Sequence, residues 1–339
     1  MKGGKKTLKW VIWAAAALVV AAGVLWFVPT PYLVITPGVT GNLGQMVKVR
    51  NGRTPPSKGQ LLMVAVGLSQ VNELEYLGAR VDPNVELLKA SYAMGGLNMN
   101  QYIQYNTSLM TNSQLTAEVA GERLAGLHAY VKTVPGALVI GVLKKGNAVG
   151  KIQPGDLITK IGPYPVTSPG VVHGIMTKHF TFGEIVPFTV VRKHQTVVVP
   201  IRTTHVAHDS APGIGVMISS LQEPVIPRPV SINSEGIGGP SAGMMFSLEI
   251  YSQVTGKDLA RGRIVAGTGE ITPTGQVQPI GGVAQKVITV HRSGATVFLC
   301  PKANYPKALA MARRKGYDMK IYPVATLSQA LHDLTQSAT

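Results

Sequence analysis

Between Trp10 and Val28 the chain reads WVIWAAAALVVAAGVLWFV, with no charged residue. At 1.5 Å per residue this is close to the ~20 apolar residues that cross a hydrocarbon core. All 3 tryptophans of the chain lie in it, Trp10 and Trp13 at one end and Trp26 at the other. Indoles favour the membrane interface, so the spacing predicts an aromatic belt at both faces. Lys2, Lys5, Lys6 and Lys9 precede the stretch, and few basic residues follow it closely. That asymmetry predicts a cytoplasmic tail at 1–9, a transmembrane helix at 10–28 and everything after it outside the cytoplasm. A cleaved signal peptide is the alternative. Its apolar region would be shorter, and Ala21-Ala22-Gly23 is a poor cleavage site inside the run. Later apolar runs such as Leu61–Leu68 are strand-length, so no second span is expected.

The 339 residues leave room for two or three domains, at roughly 100–200 residues each. With 45% hydrophobic residues the chain is not wholly disordered. Lys+Arg 32 against Asp+Glu 16 gives a net charge of +16. Such a charge invites a nucleic-acid reading, but it reflects scarce acids, and no dense basic run with interleaved aromatics appears. No nucleic-acid partner is expected. Scarce carboxylates also leave few groups to protonate as pH falls, which predicts an acid-tolerant fold. Cys300, the 1 cysteine, excludes an intrachain disulfide and a cysteine-based zinc site, and reads as a small core residue.

Residues 29–119 read as an extracytoplasmic linking region. Pro29, Pro31, Pro37 and Gly38 interrupt it, Leu61–Val66 reads as a buried strand, and Thr111-Asn112-Ser113 offers an N-cap for a following helix. Next come strand Ala137–Leu143, turn Pro154-Gly155-Asp156, strand Leu157–Ile161, a short helix over Gly170–Thr177, and strands Ile185–Arg192 and Thr196–Arg202. This order, with the run GKIQPGDLITKIGPYPV, resembles a bacterial-type PDZ domain over residues 120–204. PDZ domains bind extended peptides by strand addition at a sheet edge. The resemblance implies that the turn Val134–Ala137, including Gly136, receives a peptide carboxylate, while Leu138, Val172 and Met176 line a groove. From 205 to 339, strand and helix patterns alternate, which predicts an α/β or α+β domain.

Gly238-Gly239-Pro240-Ser241-Ala242-Gly243 places a serine where a glycine-rich loop enters a helix. Glycines admit a substrate backbone, and the free amides and dipole of a first helical turn favour an oxyanion. An ordinary serine N-cap fits the hexapeptide equally well. So does the G-x-S-x-G of an α/β-hydrolase, although too little chain follows Ser241 and no hydrolase-sized sheet precedes it. Further on, Gly281-Gly282 opens a helix on which Lys286 shares a face with Val283 and Val290, beside Val287. A poorly solvated ammonium loses its proton more easily and can act as a base toward a serine. The ordinary alternative is a lysine snorkelling to solvent.

GGPSAG, then GTGEITPTGQVQPIGG at 267–282, then Lys286, VHRSGA at 290–295 and VFLCPK at 297–302, resemble in order the proteolytic domain of Lon-type serine peptidases. The resemblance implies a catalytic dyad of Ser241 and Lys286, with Thr268 orienting the lysine and Gly239 and Pro240 in the oxyanion loop. Glu270 stands open between active-site support and a structural role, and Asn233 and Ser234 are candidates for the cleft. Two departures stand out. Gly238 replaces an acidic residue of common Lon proteases. No G-x-x-x-x-G-K-[ST] loop is present, the nearest approach being Gly146–Ile152.

Membrane span, PDZ and Lon domain in this order resemble bacterial membrane-anchored, PDZ-containing Lon-like proteases, over about residues 29–339. That implies a multidomain fold: an N-terminal transmembrane helix, an α+β linking region with an inserted PDZ β-sandwich or barrel-like domain, and a C-terminal α/β Lon-type proteolytic domain at 205–339. It implies an ATP-independent serine endopeptidase in the cell membrane, acting on exported or membrane-tethered proteins and peptides, without cofactor and, by analogy, as a homo-oligomer. His205-x-x-His208 lacks a third ligand, so no metal is expected. The rival is a non-catalytic PDZ scaffold with an inactive Lon fold, against which stands the presence of both Ser241 and Lys286.

Overall fold

Leu61, Leu62, Met63 and Val64 are apolar at successive positions, so a strand there needs cover on both faces of its sheet. A computed structural model of the chain, which describes residues 4–55, 58–95, 97–143, 146–205 and 211–336, shows that cover. The chain divides into two units, one of Met1–Leu127 with Arg228–Thr339 and one of His128–Pro227.

The larger unit begins with α1 (Gly4–Phe27), β1 (Pro29–Asn42), α2 (Leu43–Met46), β2 (Val47–Val49), β3 (Gln60–Asn72), α3 (Glu73–Val81), β4 (Glu86–Lys89), α4 (Ala90–Met94) and α5 (Met99–Leu124). Helix α1 forms over most of the expected span, and Trp10, Ile12, Trp13, Val19 and Trp26 are exposed on it. The side chains of residues 1–9 and of Val11, Leu18 and Ala21 lie outside the described residues. Among the described residues no helix is long and apolar enough to cross a membrane. Helix α5 starts well before the expected cap at Thr111-Asn112-Ser113. Asn98 and Gln101 cap each other reciprocally and open the helix there. Thr107, Thr111 and Thr116 then satisfy their hydroxyls on carbonyls one turn back, so the helix runs on.

The smaller unit holds β5 (Tyr130–Val142), β6 (Leu157–Ile161), β7 (Tyr164–Pro165), α6 (Pro169–His179), β8 (Ile185–Arg192), β9 (Gln195–Arg202), β10 (Thr204–His205), β11 (Pro212–Gly213) and β12 (Val216–Val225). Its main sheet has the order β12-β5-β6-β8-β9, with β7 on β6. Val186, Phe188 and Val190 alternate inward along β8 and meet Val139, Ile158 and Ile201 in the core. Asp156, from the Pro-Gly-Asp turn, is buried and takes two hydrogen bonds from Arg192, at 2.7 and 2.6 Å. The expected limits 120–204 need correction, because β12 completes this sheet by pairing along β5.

The chain then returns to the larger unit through β13 (Val230–Ile232), α7 (Gly243–Thr255), β14 (Ile264–Gly267), β15 (Glu270–Ile271), β16 (Val277–Gln278), α8 (Val283–Arg292), β17 (Val297–Pro301), α9 (Tyr305–Lys315), β18 (Lys320–Val324) and α10 (Leu327–Gln336). One six-stranded sheet, β18-β17-β14-β3-β1-β4, joins both segments. β18, β17, β14 and β3 are parallel, and β1 runs antiparallel to β3 and β4. Leu61, Met63, Val265 and Leu299 pack in one core with residues of α5, α7 and α10. Leu62, Val64, Ala266, Phe298 and Cys300 pack in another with α8 and α9. Alternate residues of each strand therefore bury on opposite faces, at about 1.5–3 kcal/mol per large side chain. Residues 29–119 are thus no linking region: β3 pairs directly with β14, Leu61 opposite Val265, in the middle of this sheet. Burial pushes the Cys300 thiol up to about 12, as befits an inert core residue.

Candidate active site

Helix α7 is buried from Gly243 to Gln253 and opens toward the end of β14. Gly269 N–H donates to Ser241 O at 2.7 Å and Met244 N–H to Gly269 O at 3.0 Å, so the turn after β14 clamps the start of α7. Thr268, also buried, donates its hydroxyl proton to Ser241 O at 3.0 Å. Gly243 has a packing reason independent of any hydrolase elbow. A Cβ there would lie 2.7 Å from Ser113 Oγ and 2.8 Å from Ile271 Cγ2.

Lys286 comes from α8, whose residues Val283–Val290 are all buried, and is itself only 1% exposed. Its Nζ lies 2.7 Å from Ser241 Oγ, 2.8 Å from Thr268 Oγ1 and 2.8 Å from Val64 O. Burial lowers its pKa from 10.5 to about 7. A neutral amine has two N–H donors and one lone pair. Val64 O can only accept, and Thr268 Oγ1, its proton committed to Ser241 O, also accepts. Both N–H groups are then used, and the lone pair is left facing the Ser241 hydroxyl. Val64 is a backbone partner that side-chain reasoning did not find.

The structure thus brings together Ser241, Lys286 and Thr268. The oxyanion loop is arranged differently from expectation. Gly239, at φ +88°, donates its N–H to Asn106 O on α5 at 2.8 Å, so that amide is occupied. Pro240 O accepts from Ser113 Oγ at 2.9 Å. Among the described residues the amides of Ser241 and Ala242 have no acceptor, which leaves them to face an oxyanion. A Cβ on Gly238 would sit 3.1 Å from Asn106 Cβ, so α5 crowds the position where the acidic residue was expected. Glu270 is half-buried and raised in pKa by that burial, with no hydrogen bond to the dyad among the described residues. Asn233 accepts from Glu235 N–H and shapes a local turn.

In the smaller unit the expected groove must be redrawn. β5 is an inner strand: Val134 pairs with Leu221, and Leu138 pairs with Ser219 on one side and Leu157 on the other. Gly136 lies in the same strand against Leu157. β5 meets β6 only at Ala137 and Leu138, so Leu138 is paired on both sides and Val134 only with β12. Val172 and Met176 of α6 do line a cleft of about 200 Å³, but with Phe188 and residues Ala211–Val216 and Ile218, beside the outer strand β12. His205 stacks on Phe182, and His208 lies outside the described residues. No cluster of metal-binding side chains occurs among the described residues.

Residues 234–336 match the family described as the Lon protease (S16) C-terminal proteolytic domain. Lon protease of Campylobacter concisus is 40% identical over 94 residues, 27% of this chain. Lon protease of Chloroflexus aggregans is 34% identical over 92 residues, again 27% of this chain. Each match spans 11% of the relative's length. The segment that holds Ser241, Thr268 and Lys286 is thus similar to the proteolytic domain of Lon proteases, and the chain spans about a tenth of the length of these relatives. Among solved structures, the PDZ domain of the SdrC-like protein of Listeria innocua aligns at 24% identity and a TM-score of 0.23, covering 24% of this chain and 92% of that one.

Proposed function

We propose that this chain is a membrane-anchored, ATP-independent serine endopeptidase of the Lon type that cleaves exported or membrane-tethered proteins and peptides. The observation that carries the reading is the hydrogen bonding of Lys286, which turns its lone pair to Ser241. Neutral Lys286 takes the Ser241 Oγ proton as the oxygen attacks a peptide carbonyl. The Ser241 and Ala242 amides meet the tetrahedral oxyanion. The Lys286 ammonium then gives its proton to the leaving amine, and water releases the acyl-enzyme by the same route. Supporting an anchor, the uncharged Trp10–Val28 stretch follows four lysines and carries exposed tryptophans at both ends. On this reading the peptidase lies outside the cytoplasm. The smaller unit serves as a PDZ-type peptide binder, with the open edge of β12 beside α6 as the docking strand.

The test uses the full chain in detergent micelles with an unfolded protein substrate and a peptidyl phosphonate. Cleavage without nucleotide, together with a phosphonate adduct on Ser241 that is missing in Ser241→Ala, is the expected result. Intact substrate and no adduct on the wild-type chain would overturn the reading.

A further inference from the structure

We propose that Ser113 is a positioning residue for the oxyanion site: acting through Pro240, it aims the Ser241 N–H at the developing negative charge. This rests on the serine-peptidase reading above and assigns a role to a helix far from the dyad in sequence.

Three threonines of α5, Thr107, Thr111 and Thr116, return their hydroxyl protons to carbonyls of their own helix. Ser113, 5% exposed, does not. Its Oγ crosses to Pro240 O at 2.9 Å. It can do so because α5 and α7 approach closely. A Cβ on Gly121 would meet Ser247 O at 2.7 Å, and one on Gly243 would meet Ser113 Oγ at 2.7 Å. Two turns earlier on α5, Asn106 O holds the Gly239 amide at 2.8 Å.

The Pro240 carbonyl and the Ser241 N–H belong to one planar trans peptide and point in opposite directions. Holding the carbonyl on α5 therefore turns the amide away from α5, and no acceptor for it exists among the described residues. On the other side of Ser241, Gly269 N–H and Thr268 Oγ1 hold its carbonyl. Both peptide planes that flank the nucleophile are thus fixed before substrate arrives. Such preorganisation is what makes a backbone donor effective toward an oxyanion. Without the Ser113 hydroxyl the Pro240–Ser241 plane keeps only the 3.3 Å bond from Gly243 N–H.

The experiment compares wild type, Ser113→Ala and Ser113→Cys as full chains in micelles, reading kcat, KM, inhibition by a peptide boronate and the thermal midpoint. A boronate places an oxygen where the oxyanion forms, so it reports the amide's aim directly. For Ser113→Ala we expect kcat to fall about 10- to 100-fold. Boronate affinity falls in parallel, while KM and the acid limb of the pH profile stay put. Ser113→Cys, a near-isostere with a weak S–H donor, recovers part of the loss and stands in if Ser113→Ala does not fold. Wild-type kcat and boronate affinity in either variant overturn the positioning role alone. So does a loss that appears as higher KM or fewer titratable active sites. A wild-type chain that neither cleaves peptides nor binds boronate overturns the peptidase reading and this one with it.

Discussion

Lys286 Nζ lies 2.7 Å from Ser241 Oγ, although α8 and α7 pack on opposite faces of the central sheet. The lysine reaches across beside β3, whose Val64 carbonyl takes one of its N–H groups. The pair therefore meets inside the protein, where the charged ammonium is poorly tolerated.

That burial sets the pH dependence of catalysis. With Lys286 near 7, kcat/KM should rise about tenfold per pH unit below neutrality and level off above it. Ser241→Ala and Lys286→Arg should each lower kcat by about 10⁴-fold or more, since a guanidinium does not deprotonate. Initial rates across pH 5–10 check both. A rate that peaks in acid, or an active Lys286→Arg, contradicts the lysine base.

Lys286 also costs stability. Its folded pKa of about 7 lies below the unfolded value of about 10.4, so between these the unfolded chain holds more protons and stability rises with pH. Below pH 7 the full cost of about 5 kcal/mol applies, at about 1.4 kcal/mol per pK unit. Lys286→Met removes it but takes the lysine N–H donors away from Val64 O and Thr268 Oγ1, a loss of about 1–3 kcal/mol. The variant should be more stable than wild type by roughly 2–4 kcal/mol at pH 6, by urea unfolding, with the difference shrinking above pH 7 and reversing in sign near pH 10. Equal stability at pH 6 would show that the lysine is better solvated than its burial implies.

Buried carboxylates favour acid tolerance in the larger unit. Burial, then repulsion from Glu122, raises Glu118 to about 7. The native state therefore binds its proton before the unfolded chain does, and stability grows as pH falls from 7 toward 4.5. Glu118→Gln should raise stability by roughly 1–2 kcal/mol at pH 8 and change little at pH 4.5. Asp156 behaves oppositely. Burial pushes it up, but hydrogen bonds from Arg192 and the Gln153 amide outweigh that and hold it below 3.8. The smaller unit should thus lose stability as pH falls through that lowered value. Tryptophan-independent circular dichroism at pH 3–8 tests this, and a larger unit that melts first in acid would refute it.

The redrawn peptide groove makes a fourth prediction. Val172→Asp should weaken binding of a C-terminal peptide to the chain by at least about tenfold, or ~1.4 kcal/mol, by calorimetry. Val134→Ala, in an inner strand, should leave it unchanged. The reverse pattern would return the groove to β5.

The sequence by itself determined the local elements and pointed to the residues of the candidate site. Strands Leu157–Ile161 and Ile185–Arg192 form as read, because periodicity and turns are written within a few residues. Ser241, Lys286 and Thr268 were legible for the same reason, each lying in a short distinctive run. The start of α5 was legible too, in Asn98 and Gln101, but the polar residues after that cap hid the helix. Only the tertiary structure decided that residues 29–124 complete the larger unit, since Leu61 pairs with Val265 through burial of both faces of β3. It alone made β12 rather than β5 the open strand, and it supplied Val64 O and Asn106 O to the site. A backbone carbonyl has no side-chain signature, so its part in a site is fixed only when distant segments pack together.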